Sequence, residues 1–390
     1  MACEQVTLQD VCELIVDCPH TSAKDEGVGY PLIRTPNVGR GRLILTDVHR
    51  VSQDVYERRV SRAVPRQGDL ILAREAPAGN VAIVPPGIEV CLGQRTMLLR
   101  PDSSFVVPEY LNYYLNAPEQ RDRMLRLANG ATVSHINVAD IRNMPVQLPS
   151  RGEQSKVAEL LNVLDDKIDL NNWLNDYLEQ LVDGKFQELF GGLNFNATLS
   201  DVAEITMGQS PAGSSYNEEG AGIIFYQGRG EFGWRFPKRR LYTTEPKRLA
   251  CEGDVLMSVR APVGDLNVAF ENCCIGRGLA AIHSETPSFA LYLMRFLKPQ
   301  LEAYNGEGTV FGSINGKALK SLEVALPSHN EVMQFESFAA PIDALIRSNE
   351  NETRKLNNLR NYLLPKLMSG EIDVSKVDLT QLTNNHLADC

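Results

Sequence analysis

With 390 residues, 43% of them hydrophobic, the chain is too long for a single core and suits two domains with connecting elements. No apolar run reaches the length of a membrane span and the amino terminus lacks a basic stretch followed by a hydrophobic core, so a cytoplasmic location is expected. The net charge of -10 speaks against nucleic acid only until it is divided: residues 1–150 carry 16 basic and 17 acidic side chains, residues 191–328 carry 13 and 14, and residues 151–190 carry 4 and 9. Each near-neutral portion can then present a basic face.

Residues 1–150 read as a mixed, strand-rich domain. Leu8 to Val16 opens as a short helix or strand, and Pro31 to Val38 reads as a strand ending in a turn. Arg40, Arg42, Arg58, Arg59, Arg62 and Arg66 make the middle basic, and arginine outnumbers lysine here by 15 to 1, which favours bidentate contacts with phosphates or guanine edges. Gly68 to Val84 (GDLILAREAPAGNVAIV) predicts a hairpin, and Gln94 and Arg95 follow a glycine on another short strand. Glu109–Asn116 and Glu119–Leu127 have helical spacing on either side of Pro118.

From Glu153 to about Leu189 a heptad runs through Val157, Leu160, Leu164, Leu174, Leu178 and Leu181, with Ile168 beside Lys167 and Asn171 at an a position. This is a helix built to press one stripe against a partner. Sliding the sequence by 178 residues places Phe335, Phe338, Ile342, Leu345, Asn349, Leu356, Leu359 and Leu363 on the same positions, with Ile346 matching Ile168. From Leu148/Leu326 to Gly192/Gly370, 11 of 45 columns are identical, where composition alone gives roughly three. A buried Asn at an a position, as Asn171 and Asn349 are placed, fixes register at a cost in stability.

After Gly191-Gly192 the first domain's order returns. LSDVAEI at 199 echoes LQDVCEL at 8, IIFYQGR takes the place of PLIRTPN, and GDVLMSVRAPVG at 253 aligns with GDLILAREAPAG at 68. Cys91-x-Gly93 recurs as Cys274-x-Gly276, and Ile136-Asn137 as Ile314-Asn315. The loops differ far more, and the Lys238-Arg239-Arg240 run has no counterpart in the first copy.

Signals of chemistry are weak. GRGEFG at 228–233 fits G-x-G-x-x-G, yet Trp234-Arg235-Phe236-Pro237 leaves no room for the helix that a dinucleotide site needs. GSINGKA at 312–318 lacks a Ser or Thr after Lys317 to hold magnesium. The eight cysteines form no CxxC pair, and Cys12, Cys18 and His20 lack paired zinc spacing. No catalytic residue, metal or cofactor is expected.

The order of two variable domains and two helical repeats is distinctive. With GDLILAREAPAG, GDVLMSVRAPVG, LPSRGEQSKVAELLNVLDDKI and LLPKLMSGEIDV, it resembles the specificity (S) subunit of type I restriction-modification systems over nearly all of residues 8–375. The resemblance implies an α+β fold: two similar β-rich target-recognition domains (1–150 and 193–328) joined by two long helices (151–192 and 329–370) pairing as an antiparallel coiled coil, in a pseudo-two-fold internal repeat, with a tail at 371–390. It implies a non-catalytic subunit that reads a bipartite site in double-stranded DNA and docks two methyltransferase subunits, with restriction endonuclease subunits an open matter. Two departures stand out: Glu331-Val332 replaces Glu153-Gln154, and Pro341 falls inside the second helix, where proline breaks or kinks the helix, so that the first turns are expected as a separate short helix.

For base readout the loops after the matched strands supply Arg34, Thr35 and Asn37 in the first domain and Tyr226, Gln227 and Arg229 in the second. Arg59, Arg74, Arg95, Arg239, Arg240, Arg260 and Arg277 are expected on DNA, most of them on phosphates, and Ser134, His135 and Ser313 precede the shared Ile-Asn. Leu160, Leu164, Ile168, Asn171, Leu178, Leu181, Ile342, Ile346, Asn349, Leu356 and Leu359 are expected to pair the helices or dock subunits. A coiled-coil adaptor whose domains bind proteins is the alternative, and salt-dependent DNA affinity discriminates against it.

Overall fold

The computed structural model describes residues 4–128, 135–306 and 312–376; Ser134 and the tail beyond 376 lie outside the described residues. The chain divides into two compact units, one built from the stretch up to Asp169 and from Thr353 onward, the other from Leu170–Glu352. Each combines α and β structure.

In the first unit the predicted hairpin forms, with Leu70–Ala73 antiparallel to Val81–Ile83. Its turn places Gly79 at φ +81°, a conformation that favours glycine, and Gly79 N–H donates to Ala73 O at 2.8 Å. The hairpin lies inside a five-stranded sheet ordered Cys12–Asp17, Thr96–Pro101, Leu70–Ala73, Val81–Ile83, Gly41–Arg42. All of Leu70–Ala73 is buried because both sheet faces are covered. Leu70 and Leu72 join a core with Tyr110, Tyr114, Val157, Leu161 and Leu367, while the alternating Ile71 and Ala73 pack with Ile33, Val84 and Val90. Tyr30–Ile33 ends in a 3-10 turn over Thr35–Asn37 and pairs in parallel with Cys91–Leu92. Helices Pro108–Asn116 and Pro118–Leu127 each begin on a proline, where the missing N–H costs nothing.

The second unit repeats this plan. Val255–Ser258 pairs with Leu266–Val268 around Gly264, at φ +90°, in a sheet ordered Glu204–Met207, Leu279–His283, Val255–Ser258, Leu266–Val268. Ile223–Tyr226 runs parallel to Cys273–Ile275. The repeated Ala-Pro bonds, Ala76-Pro77 and Ala261-Pro262, are both cis. Phe186, Phe190, Phe289 and Phe335 form an aromatic cluster in its core, with centroids 5.0 to 6.3 Å apart.

The two long helices span Arg151–Phe190 and His329–Met368, and each is opened by a reciprocal Ser-Glu cap. Ser150 N and Oγ donate to Glu153 Oε2 at 3.0 and 2.7 Å, and Ser328 N and Oγ donate to Glu331 Oε2 at 2.8 and 2.6 Å. Within the second unit Asn171 Nδ2 donates to Glu352 Oε2 at 2.8 Å, and Asn349 Nδ2 donates to Asn175 Oδ1 at 2.8 Å. Partner numbers fall along one helix as they rise along the other, so the two segments run in opposite directions there. In the first unit Arg360 Nη1 meets Asp165 Oδ1 at 2.6 Å.

Two expectations are corrected. The second helix is continuous through Pro341, which lies on its exposed side, so the Ser337 carbonyl deprived of its partner also sits at an exposed residue, where water can satisfy it. The heptad reading holds Leu160, Leu164, Ile168 and Asn171 in buried positions, but Leu181 (54% exposed) and Leu359 (44%) face solvent, as do Leu174 and Leu345. Asn175 and Val182 are buried instead and the expected Ile346 is buried too, while Leu178, Ile342 and Leu356 are half-buried. A 3.6-residue turn drifts by roughly 20° per heptad, which carries the buried stripe one residue onward.

Candidate nucleic-acid interface

Each unit gathers polar side chains where three loops meet, and the same backbone bonds do the gathering. In the first unit Arg74 N–H donates to Arg95 O at 2.8 Å and Ile136 N–H to Arg74 O at 3.1 Å; in the second Val259 N–H donates to Gly278 O and Ile314 N–H to Val259 O, both at 3.0 Å. Isolated bridges complete the match, Glu75 with His135 and Arg260 with Ser313.

The first unit's depression, about 320 Å³, is lined by His20, Arg74, Glu75, Gln94, Arg95 and His135. Its arginines are paired, Arg74 Nη1 lying 2.7 Å from Asp17 Oδ1 and Arg95 Nε 2.8 Å from Glu75 Oε2, and His20 Nε2 lies 3.3 Å from Asp17 Oδ2. The second unit's depression, about 260 Å³, brings together Ser210, Gln227, Arg229, Ser258, Arg260 and Arg277. Arg229 pairs with Asp265. Arg260 and Arg277 are exposed and make no ion pair among the described residues. The exposed Ser313 bridges to Arg260.

Several predicted contacts are scaffold instead. Thr35 is buried and donates from Oγ1 to Ala76 O at 3.2 Å; Asn37 is buried, donates from Nδ2 to Ile44 O at 3.1 Å and accepts from Arg34 N–H at 3.2 Å. They hold the turn that half-buried Arg34 begins. Arg59, only 6% exposed, donates from Nε to Leu92 O at 2.7 Å and from Nη1 to Thr21 O at 3.1 Å, and burial lowers its pKa. A guanidinium so enclosed ties loops together rather than gripping phosphate. Tyr226 is likewise buried, at 1%. Arg239 and Arg240 are exposed but apart from the depression, paired with Glu271 at 2.5 Å and Glu231 at 2.8 Å.

His20, Ser210 and Ser258 line the depressions although no motif in the sequence marks them as site residues. Gln94 was nearer to hand, since Cys91-x-Gly93 aligned on Cys274-x-Gly276 sets Gln94 opposite Arg277.

Two α+β units on one plan, each with a polar, cationic depression fed by the same three loops, define a duplicated binding protein. The family described as the type I restriction modification DNA specificity domain matches residues 2–180 and again 196–361. The chain is 31% identical to a putative type I restriction enzyme specificity subunit, MjaX, of Methanocaldococcus jannaschii, over 94% of this chain and 93% of that one. It is 22% identical to the EcoKI specificity subunit of Escherichia coli, over 90% and 86%. A crystal structure of a type I restriction-modification S subunit from M. genitalium shares the fold with a TM-score of 0.62 at 16% identity, over 94% and 96%. The chain belongs to the type I restriction-modification specificity subunits, the non-catalytic DNA-recognition members of their systems. Among the described residues no helix is long and apolar enough to cross a membrane.

Proposed function

We propose that the chain reads a bipartite target in double-stranded DNA, one half through each depression, and brings two adenine methyltransferase subunits to it, with endonuclease subunits where the system has them. The observation that carries this reading is that equivalent loops hold Glu75, Gln94 and His135 in one unit and Arg260, Arg277 and Ser313 in the other, each beside a polar depression. Arg and Gln each offer paired hydrogen bonds to one base edge, and an arginine without a carboxylate partner loses little on binding DNA. Arg229 and Arg95, already ion-paired, exchange a carboxylate for phosphate.

In this reading residues 1–150 and 193–328 are the recognition domains, and 151–192 and 329–370 form an antiparallel coiled coil that sets the spacing in a pseudo-two-fold arrangement. A 40-residue helix is about 60 Å long, against about 34 Å per duplex turn. Exposed apolar side chains on the helices, Trp173, Tyr177 and Leu181 in one and Leu359 and Tyr362 in the other, suit the docking of partner subunits.

Selection from random duplexes by the chain with its methyltransferase subunits tests this. Two separated motifs are expected, with affinity falling steeply with salt. A single uninterrupted motif, or salt-insensitive capture of protein alone, would favour the adaptor reading.

A further inference from the structure

The second unit departs from the first at one framework position, and the departure assembles metal-ligand chemistry. In the first unit Asp69 is buried and closes the turn before Leu70–Ala73 by accepting from Arg66 N–H at 2.8 Å. Arg100 meets its charge, donating from Nε to Oδ1 at 2.9 Å and from Nη2 to Oδ2 at 2.8 Å. In the second unit Asp254 closes the equivalent turn by accepting from Cys251 N–H at 2.7 Å. Strand register places His283, beside Ile282 that faces Val255, where Arg100 stands beside Leu99 that faces Leu70. His283 Nδ1 lies 2.7 Å from Asp254 Oδ1. An arginine pair has thus been exchanged for an imidazole and a thiol. A guanidinium has no lone pair to give, whereas both replacements do.

We propose that Cys251, Asp254 and His283 bind a divalent ion of the Zn²⁺ class, with solvent in the fourth position. Their ligand atoms all lie within 4.8 Å of one another. Zinc bonds of about 2.0 to 2.3 Å require the donors to stand roughly 3.3 to 3.8 Å apart, so ion binding opens the 2.7 Å contact of His283 with Asp254 and draws in the wider separations by rotation of the exposed Cys251 and His283 side chains. Asp254 is the fixed point, 5% exposed and held through Oδ2 by the Cys251 N–H, and its Oδ1 exchanges the His283 Nδ1 contact for the ion. Glu204 pairs directly opposite His283 in the neighbouring strand and adds negative potential on the same face. Thiolate with imidazole selects zinc, cobalt or nickel over magnesium and calcium. The bound ion clips the turn before the central hairpin to the end of the adjacent strand, the task Arg100 performs in the first unit.

Titration of Co²⁺ into the purified, reduced full-length chain tests the site. One equivalent is expected to bind with a thiolate-to-cobalt absorption band, to be displaced by Zn²⁺, and to lose that band in Cys251→Ser. Cys251→Ser and His283→Gln are each expected to weaken affinity at least about tenfold. Both side chains are exposed, so the variants are expected to fold, and circular dichroism checks it. Independently of any variant, one equivalent of Zn²⁺ should raise the Tm of the wild-type chain. An unchanged Tm, a band that persists in Cys251→Ser, or wild-type affinity in His283→Gln overturns the proposal and leaves Asp254 and His283 as an ion pair only.

Discussion

Arg260 and Arg277 differ from the other arginines of the two depressions in having no acidic partner among the described residues, so their donors are available without first breaking an ion pair. Replacing either with alanine is expected to weaken specific DNA binding by about 1 to 3 kcal/mol and to relax the sequence choice in one half-site only, as read by anisotropy on duplexes varied at each position. Arg59 behaves oppositely. Arg59→Met should leave the recognised sequence unchanged and destabilise the fold by about 1 to 3 kcal/mol, measured by urea unfolding, because the buried Leu92 carbonyl loses its donor and the tie to Thr21 is cut. The sequence marked arginine richness as functional, but it could not separate Arg59 from Arg95. Burial depends on what the loop folds against, and no local pattern carries that. Thr35 and Asn37 were misplaced for the same reason, since short polar side chains beside a proline satisfy their own turn as readily as a ligand.

At the scale of elements, the heptad was legible because apolar spacing records which side of a helix is covered. It was read one step out beyond Asn171, because a straight helix does not keep a 3.5-residue period. The exposures yield a paired expectation: Ile346→Ala should cost about 2 to 5 kcal/mol, whereas Leu181→Ala should stay within about 0.5 kcal/mol, both measured by thermal or urea unfolding. Leu181→Ala is instead expected to weaken capture of a methyltransferase subunit in a pull-down titration. The Asn349 to Asn175 hydrogen bond joins two buried amides, which restrict register as greasy contacts do not. Asn349→Leu alone is expected to lower Tm, because buried Asn175 loses its partner, whereas Asn175→Leu with Asn349→Leu should raise Tm while admitting larger assemblies, visible by light scattering; a double variant with lower Tm and a single species would count against a register role. The strands were the clearer case. LILA and VLMS read as buried runs because both faces of each sheet are covered.

For the molecule as a whole, duplication was the most legible property, since it needs only the chain compared with itself. The structure adds that the repeat preserves the hydrogen bonds joining three loops while exchanging the side chains they hold, Gln94 for Arg277 and Glu75 for Arg260. A scaffold that holds loops still and lets their contents change would let one plan serve the two half-sites proposed above. On the proposed reading the units recognise DNA and the helices set the spacing. The most direct test is a base-resolution map of adenine methylation in cells carrying, with its partner subunits, a variant lacking Leu170–Asp176 together with the facing Ser348–Arg354. The account predicts the same two half-sites separated by a shorter spacer; an altered half-site, or an unchanged spacer in a methylating complex, would contradict it.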